Sequence, residues 1–190
     1  MVDLRHAKGK TMSTSLINGA TRSSAKRNFE TLRDRIGQRE ARVVIMGGGY
    51  VGLTLAVEAA RVGFHVTCFE IDRERALAIK NGESQVPGIG DEELGALVNS
   101  GSLVCGDGLT LLQGAEVIII CVATPLNTSR EPDTSQITAA AASISHCLEP
   151  GTLVVLESTT YPGTTEELVK PILEATGLKA ERDFWLGYSP

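Results

Sequence analysis

The amino-acid sequence predicts an α/β protein with a doubly wound parallel sheet and helices on both of its faces. Apolar runs of strand length alternate with helical segments from Arg42 onward, and several helix ends carry capping signals. A glycine-rich turn joins the first apolar run to the helix that follows it. Such alternation is typical of parallel strands connected by helices that cross over the sheet.

Six segments have the apolar pattern of strands: 42–46, 65–70, 102–105, 116–122, 151–157 and 184–188. Five segments fit helices: 50–62, 73–81, 91–99, 134–147 and 165–176. The helix ends carry signals, namely Gly63 and Gly82 as C-terminal caps and two capping boxes, Asp133 with Gln136 and Thr164 with Glu167. Pro171 lies inside the last helical segment, so we expect a kink or a late start there.

The first part of the chain is basic, since ten of the eighteen Lys and Arg residues precede Val43. Residues 1–23 are polar and predict a disordered leader; an organelle transit peptide is the alternative, which Asp3 disfavours. Between about Ser24 and Ile36, Phe29, Leu32 and Ile36 fall on one helical face. We therefore expect a short amphipathic helix laid against the following domain, with Gly37 at its end.

Length and composition narrow the class of protein. A chain of 190 residues suffices for one well-buried domain, and its net charge of −5 gives no reason to expect a nucleic-acid or membrane partner. No apolar run is long enough to span a membrane, and the N-terminus lacks the apolar core of a secretory signal. The cysteines lie far apart without a metal-ligand pattern, which predicts buried packing residues, no metal and a cytoplasmic location: Cys68, Cys105, Cys121 and Cys147.

The glycine-rich turn has the spacing of a dinucleotide-binding fingerprint, with Gly47, Gly49 and Gly52 between a predicted strand and a predicted helix. The first glycine makes the turn, the second lets the backbone approach a pyrophosphate, and the third lets the helix pack on the strand. The helix N-terminus then offers N–H groups and a partial positive charge to the phosphates. The turn therefore predicts a Rossmann-like fold that binds a dinucleotide, against the alternative of a purely structural turn.

An acidic residue, Glu70, ends the second predicted strand 18 residues after Gly52. A carboxylate there can accept hydrogen bonds from both ribose hydroxyls and would repel a 2′-phosphate, so NAD is favoured over NADP. Arg73 and Arg75 follow closely, and an arginine at this place can accept a 2′-phosphate. The alternative is that both arginines belong to a solvated helix face.

Two polar loops rich in Pro and Thr, 120–133 and 157–167, leave the ends of two predicted strands. Loops at the carboxyl ends of a doubly wound sheet line its ligand crevice. Thr124 and Thr159 would then face the nicotinamide half of the cofactor. The alternative is that their hydroxyls only cap the following helices, as we expect of Thr164.

Several stretches together resemble the nucleotide-sugar 6-dehydrogenases, the UDP-glucose/GDP-mannose dehydrogenase family. The resemblance runs from about Phe29 to Pro190 and rests on GGGYVGLTLA, FEIDRERA, ICVATPL with EPD, LESTTYPGTTEE and the final GYSP. The loop TPLNTSREPD followed by ESTTYPGTT is most similar to the branch that acts on UDP-N-acetyl-hexosamines, with the UDP-glucose 6-dehydrogenases as close relatives.

The resemblance implies oxidation of the C6 alcohol of a UDP-hexose to a carboxylate with two NAD⁺, a reaction of polysaccharide biosynthesis. A cysteine would trap the aldehyde, and the resulting thioester would be hydrolysed. The implied cofactor contacts are Gly47, Gly49, Tyr50, Val51, Gly52, Glu70, Arg75, Val122, Thr124 and Thr159. Thr159 is also implied as the catalytic residue that positions the water. Glu70 stands where Asp is commoner in the family, and Gly48 occupies a variable position.

The family continues after GYSP with an active-site glutamate, further domains and a G-G-S-C nucleophile motif that this sequence lacks. Cys121 lies nearest the crevice but within an apolar strand run, so we expect it to be packing. We therefore interpret the chain as the N-terminal NAD-binding domain of a longer homo-oligomeric enzyme, inactive by itself. Its expected parts are the leader 1–23 and the domain 24–190, with a helical extension 24–38 and a core 41–190.

Two other functions stay open. A non-catalytic NAD-sensing module would share the fingerprint but would need neither polar loop. Another NAD-dependent hydroxyacid dehydrogenase would share the first domain, although its signatures differ in both loops.

Overall fold

The computed structural model describes residues 29–126 and 132–189. Six parallel strands form one sheet in the order β3-β2-β1-β4-β5-β6. The strands are β1 (Arg42–Met46), β2 (His65–Phe69), β3 (Leu103–Gly106), β4 (Val117–Ile120), β5 (Leu153–Leu156) and β6 (Trp185–Tyr188). This order is that of the dinucleotide-binding doubly wound fold, so the predicted fold class is confirmed.

One helix precedes the sheet, and the others lie in the connections between its strands. They are α1 (29–38), α2 (Tyr50–Arg61), α3 (Arg73–Lys80), α4 (Asp91–Asn99), α5 (Ser135–Ser145) and α6 (Lys170–Glu174). A short 3₁₀ helix at Leu109–Leu112, which the sequence pattern did not predict, lies between β3 and β4. Among the described residues, no helix is both long and apolar enough to cross a membrane.

The sheet carries a separate apolar cluster on each face, because side chains alternate along every strand. On β1, Val43 and Ile45 point into the cluster with α1 to α4, whereas Val44 and Met46 point into the cluster with α5 and α6. The largest fully buried side chain is Phe184, which lies in the second cluster just before β6. Burial on both faces explains why the strands read as continuous apolar runs in the sequence.

The connections change faces between β1 and β4, which are neighbours in the sheet. After β3 the chain returns to the centre, where β4 pairs with β1 from Val43 opposite Val117 to Met46 opposite Ile120. The helix after β1 and the helix after β4 then lie on opposite faces. Because the two connections diverge, a crevice opens at the carboxyl ends of β1 and β4.

Gly63 and Gly82 have positive φ angles of 105° and 78°, as their predicted roles as C-terminal caps require. The prediction that Gly37 ends the first helix is wrong. The helix runs to residue 38, and Arg39 takes the left-handed conformation with φ 62°. The described part of the predicted amphipathic helix nonetheless buries Leu32 against the sheet. Residues 1–28, including the predicted leader, lie outside the described residues.

The two predicted capping boxes are not formed as expected. The Asp133 carboxylate accepts from the N–H of Ser135 at 2.9 Å, so it caps α5 one residue earlier than a bond to Gln136 would. The Thr164 hydroxyl donates backwards to the Tyr161 carbonyl and contacts the Thr160 hydroxyl at 2.8 Å. That hydroxyl is therefore withdrawn from the helix N–H groups, and the prediction of a Thr164 cap is wrong.

The last helix changes register near Pro171. A π-helical turn at Thr165–Val169 precedes α6, and Pro171 is the second residue of α6. Proline has no N–H to donate and is tolerated in the first turn of a helix. The predicted late start of a regular α-helix is confirmed.

Candidate functional site

A cleft of about 620 Å³ opens at the carboxyl ends of the strands. Its walls come from the turn between β1 and α2, the end of β2, the loops after β4 and β5, and one side of α5. This volume lies within the usual range of sites for small molecules and cofactors. The topology of the sheet therefore places this cleft at the crevice between β1 and β4.

Two glycines of the turn are required by the protein chain itself. Gly47 has φ 106°, and a Cβ on it would lie 2.6 Å from the carbonyl oxygen of Cys121. A Cβ on Gly52 would lie 1.8 Å from the carbonyl oxygen of Gly47, because α2 begins directly against the turn. Both positions would be glycine even if the turn bound nothing.

Gly49 differs from both, because no described part of the protein crowds the position and requires a residue without a side chain. It has an ordinary φ of −76° at the N-terminus of α2, and apart from its own chain neighbours no heavy atom of the described residues would lie within 4 Å of an added Cβ. The first N–H groups of α2 have no partner within the helix. The open space before them therefore fits a group that approaches the backbone closely and accepts hydrogen bonds, as a pyrophosphate does.

Gly48 stands at the variable position of the fingerprint, yet its surroundings are crowded. A Cβ there would lie 2.8 Å from Ile79 Cδ1 and 3.2 Å from Glu70 Oε2. Both are side-chain atoms, so glycine here eases the close approach of the turn to the Glu70 carboxylate, while the backbone around it does not demand glycine as it does at Gly47 and Gly52.

Glu70 is buried, with only 4% of its side chain exposed, and the protein uses most of its hydrogen-bonding capacity. Oε2 accepts from the N–H of Gly48 at 2.7 Å and from Arg75 Nη1 at 3.0 Å, and Oε1 accepts from the N–H of Asp72 at 2.8 Å. A carboxylate offers about four acceptor positions. About one position is left for a ribose, so the expectation that Glu70 accepts from both ribose hydroxyls needs correction.

The two arginines after Glu70 have different surroundings. Arg75 lines the cleft and bonds to Glu70. Arg73 is 90% exposed, faces Asp107 at 3.5 Å and is absent from the cleft lining. The alternative of a solvated helix face therefore fits Arg73, whereas Arg75 belongs to the cleft.

The loops after β4 and β5 are tied to each other at the other side of the cleft. The Thr124 hydroxyl donates to the carbonyl of Thr159 at 2.6 Å. The Ser158 hydroxyl donates to the carbonyl of Val122 at 2.7 Å. The Thr124 hydroxyl therefore does not cap a helix. Since its hydrogen is used within the protein, its oxygen can only accept a hydrogen bond from a ligand.

The cleft brings together nine of the ten residues that the sequence indicated as cofactor contacts; Gly52 lies outside its lining. Sequence reasoning missed the contribution of α5, from which five residues line the cleft: Ser135, Gln136, Ala139, Ala140 and Ser143. Their spacing of three and four places them on one helical face. That spacing, together with their small or polar side chains, was the signal available in the sequence.

Cys121 lines the cleft but is a poor nucleophile. Burial, with a smaller effect of the Glu157 carboxylate, raises the pKa of its thiol to about 12. A thiol reacts as the thiolate, so Cys121 stays protonated and unreactive near neutral pH. Cys121 packs against the apolar cluster that includes α1 to α4, as predicted, but it is half-buried rather than buried because one side of it faces the cleft. Across residues 29–126 and 132–189, no three His, Cys, Asp or Glu side chains are arranged to hold a metal ion.

Comparison with known proteins identifies related sequences. The model of the UDP-glucose/GDP-mannose dehydrogenase family, NAD binding domain, matches residues 41–190. The chain is 37% identical over 155 residues to the UDP-N-acetyl-D-glucosamine 6-dehydrogenase of Salmonella typhi, a match that covers 81% of this chain and 36% of that protein.

Two solved structures are also similar to this chain. A UDP-D-ManNAc dehydrogenase from Pyrococcus horikoshii matches with 36% identity and a TM-score of 0.74, covering 78% of this chain and 36% of that one. A GDP-mannose dehydrogenase from Pseudomonas aeruginosa, in a ternary complex, matches with 28% identity, the same TM-score of 0.74 and the same coverage of 78% and 36%. The chain thus spans about a third of the length of these relatives.

Proposed function

The chain belongs to the UDP-glucose/GDP-mannose dehydrogenase family and is an NAD-binding domain of that family. We therefore propose that it is the NAD-binding domain of a nucleotide-sugar 6-dehydrogenase. The enzyme would oxidise the C6 alcohol of a UDP-hexose to the uronic acid with two NAD⁺. The observation that carries the proposal is the open space beside the backbone of Gly49, which lies in the same cleft as Thr124 and Thr159. The fold needs no glycine at that position, whereas a bound dinucleotide does.

Different residues of the cleft would contact different parts of NAD. The N-terminus of α2 at Gly49 would receive the pyrophosphate, and the remaining acceptor position of Glu70 would receive one ribose hydroxyl. The exposed side chains of Tyr50 and Val51 lie at the rim of the cleft and would cover the phosphates. The small side chains along α5 keep the adjoining volume open.

The two threonines would act at the reacting end of the cofactor. Bound NAD⁺ supplies the hydride acceptor. The Thr124 oxygen can accept from an amide N–H and so orient the nicotinamide, because its own hydrogen is held by the Thr159 carbonyl. The Thr159 hydroxyl has no hydrogen-bond partner among the described residues, which leaves it able to order a water molecule. We place the nucleophile that captures the aldehyde outside this chain, since the Cys121 thiol is protonated.

For the substrate, we propose a UDP-N-acetyl-hexosamine ahead of UDP-glucose. The names of the relatives from Salmonella typhi and Pyrococcus horikoshii support this choice. We further propose a cytoplasmic, homo-oligomeric enzyme. Four free cysteines fit a reducing compartment, and light scattering of the purified enzyme would measure its oligomeric state.

A substrate panel on the full-length enzyme tests the proposed function. NADH formation would be followed with UDP-N-acetylglucosamine, UDP-N-acetylmannosamine, UDP-glucose and GDP-mannose. We expect the highest kcat/KM with a UDP-N-acetyl-hexosamine and two NADH per sugar oxidised. A clear preference for GDP-mannose would overturn the choice of UDP. Tight NADH binding without turnover of any sugar nucleotide would favour a non-catalytic NAD-sensing module.

A Thr159→Val variant of the same enzyme tests the proposed catalytic residue. It removes the hydroxyl that would order the water and keeps the shape of the side chain. We expect kcat to fall about 10²-fold, the effect of a misplaced reactant, with little change in the Kd for NADH. A parallel loss of NADH binding would show that Thr159 holds the cofactor instead.

A further inference from the structure

The Glu70–Arg75 ion pair stands at the place where doubly wound domains distinguish NAD from NADP. Arg75 is the third residue of α3, and its Nη1 lies 3.0 Å from Glu70 Oε2. We infer that Arg75 is a latent ligand for a 2′-phosphate, and that Glu70 prevents it from binding one by pairing with its positive charge. The inference rests on the proposed role of the cleft in binding NAD.

The charges around Arg75 explain why it does not attract a phosphate as the protein stands. The guanidinium lies between the Glu70 carboxylate and the Asp72 carboxylate, whose Oδ2 is 4.0 Å from Arg75 Nη2. Two carboxylates and one guanidinium leave this end of the cleft with a net negative charge. A 2′-phosphate is itself an anion and would be repelled there.

Arg75 keeps most of its capacity to bind an anion. A guanidinium has five N–H donors, and Glu70 engages one nitrogen at hydrogen-bond distance. Its side chain is 40% exposed and lines the cleft. Arginine binds phosphate through paired hydrogen bonds of a fixed geometry. Only its charge is neutralised, so removal of the Glu70 charge would turn Arg75 into a phosphate ligand.

Glu70 cannot move aside to admit a phosphate. Its carboxylate is buried and also accepts from the backbone N–H groups of Gly48 and Asp72. These bonds join the carboxylate to the phosphate-binding turn on one side and to the start of α3 on the other. The selectivity for NAD therefore belongs to the pair as a fixed unit, in which Glu70 both repels a phosphate and occupies Arg75.

A double-mutant cycle with NADH and NADPH as probes separates the pair from Glu70 acting alone. The Kd values of both would be measured by fluorescence titration for the original chain, Glu70→Gln, Arg75→Met and the double variant. We expect Glu70→Gln to tighten NADPH binding by about tenfold or more relative to NADH. The double variant should lose this gain, because the phosphate then has no arginine to bind.

Arg73→Met in the Glu70→Gln background is the matched control, since it removes the same charge from the same helix outside the cleft. It should retain the gain in NADPH affinity. Equal NADPH binding by Glu70→Gln and the double variant would overturn the inference and leave Glu70 as the whole determinant. Failure of the original chain to bind NADH would instead overturn the proposed cofactor site. Glu70→Ser replaces Glu70→Gln in the cycle if the latter does not fold, as judged by circular dichroism.

Discussion

At the scale of single residues, the glycines of the turn between β1 and α2 serve different purposes. Atoms of the protein would lie within 3 Å of a Cβ added at three of these glycines: Gly47, Gly48 and Gly52. Gly49 has none within 4 Å. Gly47 and Gly52 meet backbone atoms and are therefore required by the fold, whereas Gly48 meets only side chains. Gly49 leaves room for a ligand, so mutation can separate stability from binding.

We expect Gly49→Ala to weaken NADH binding by about tenfold or more, because a methyl group would occupy the space of the pyrophosphate. The unfolding free energy should fall by no more than about 1 kcal/mol, the preference for glycine over alanine at a helix N-cap. Fluorescence titration and urea denaturation of the same protein would measure the two effects.

Gly52→Ala is the matched variant with the opposite profile. Its Cβ would overlap the carbonyl oxygen of Gly47 at 1.8 Å, so we expect a loss of about 3 kcal/mol or more in stability. Equal destabilisation by the two variants would contradict the assignment of Gly49 to the ligand.

At the scale of elements, a half-buried carboxylate network and an aromatic contact add to the packing of Leu32 in holding α1 against the sheet. Glu116, just before β4, accepts from Arg35 Nε at 2.5 Å and Nη2 at 2.9 Å, and from the N–H of Arg42 at 3.0 Å. Phe29 meets Trp185 of β6 edge to face, with ring centroids 5.4 Å apart. Glu116 therefore links α1 to the beginnings of both β1 and β4.

This link should depend on pH. The hydrogen bond from Arg35 lowers the pKa of Glu116 below its ordinary value. A carboxylate with a lowered pKa stabilises the fold above its unfolded pKa of about 4.3. That stabilisation is lost as the pH falls through the lower pKa of the folded state. We expect Glu116→Gln to cost about 1 kcal/mol at neutral pH, after allowing for solvent screening, and almost nothing in acid. Urea denaturation at the two pH values measures both differences.

Glu40→Gln is the control for this prediction, because Glu40 faces the same arginine at 3.4 Å but is 58% exposed. An exposed ion pair contributes little, so its removal should leave stability nearly unchanged. A Glu116→Gln cost that is the same at neutral and acidic pH would show that charge plays no part in the link.

At the scale of the whole molecule, the described residues form one sheet with an apolar cluster on each face, and the cleft lies at the carboxyl ends of its strands. Both sheet faces are covered, and the central strands β1 and β4 are flanked on both sides. The cleft holds groups suited to bind NAD, but its cysteine, Cys121, is protonated. Binding and catalysis should therefore separate in this chain.

We expect the purified chain of 190 residues to fold and bind NADH but to oxidise no UDP-sugar. Catalysis requires a nucleophile within reach of the substrate carbon, and the cleft offers none in reactive form. An NADH-formation assay at high protein concentration with several UDP-sugars would measure turnover, and NADH titration would verify that the cofactor site is intact. Sustained NADH production beyond the amount of protein would place the nucleophile within this chain.

The sequence by itself determined the order of strands and helices, the class of fold, the phosphate-binding turn and Glu70 at the end of β2. These features depend on local patterns: apolar periodicity sets strands and helices, and the spacing of Gly47, Gly49 and Gly52 sets the turn. The family resemblance rested on the same short stretches. Such signals can be interpreted without the fold because the residues that carry them are neighbours along the chain.

Only the tertiary structure decided which side chains meet. In the structure, Arg75 rather than Arg73 pairs with Glu70, and the Thr124 hydroxyl donates to the Thr159 carbonyl. One face of α5 also lines the cleft. The Thr164 hydroxyl donates to the Tyr161 carbonyl instead of capping the helix as predicted. The physical reason is that each choice depends on distances across the sheet or between loops, where residues far apart in sequence come within hydrogen-bond reach. Local propensity carries no information about those distances.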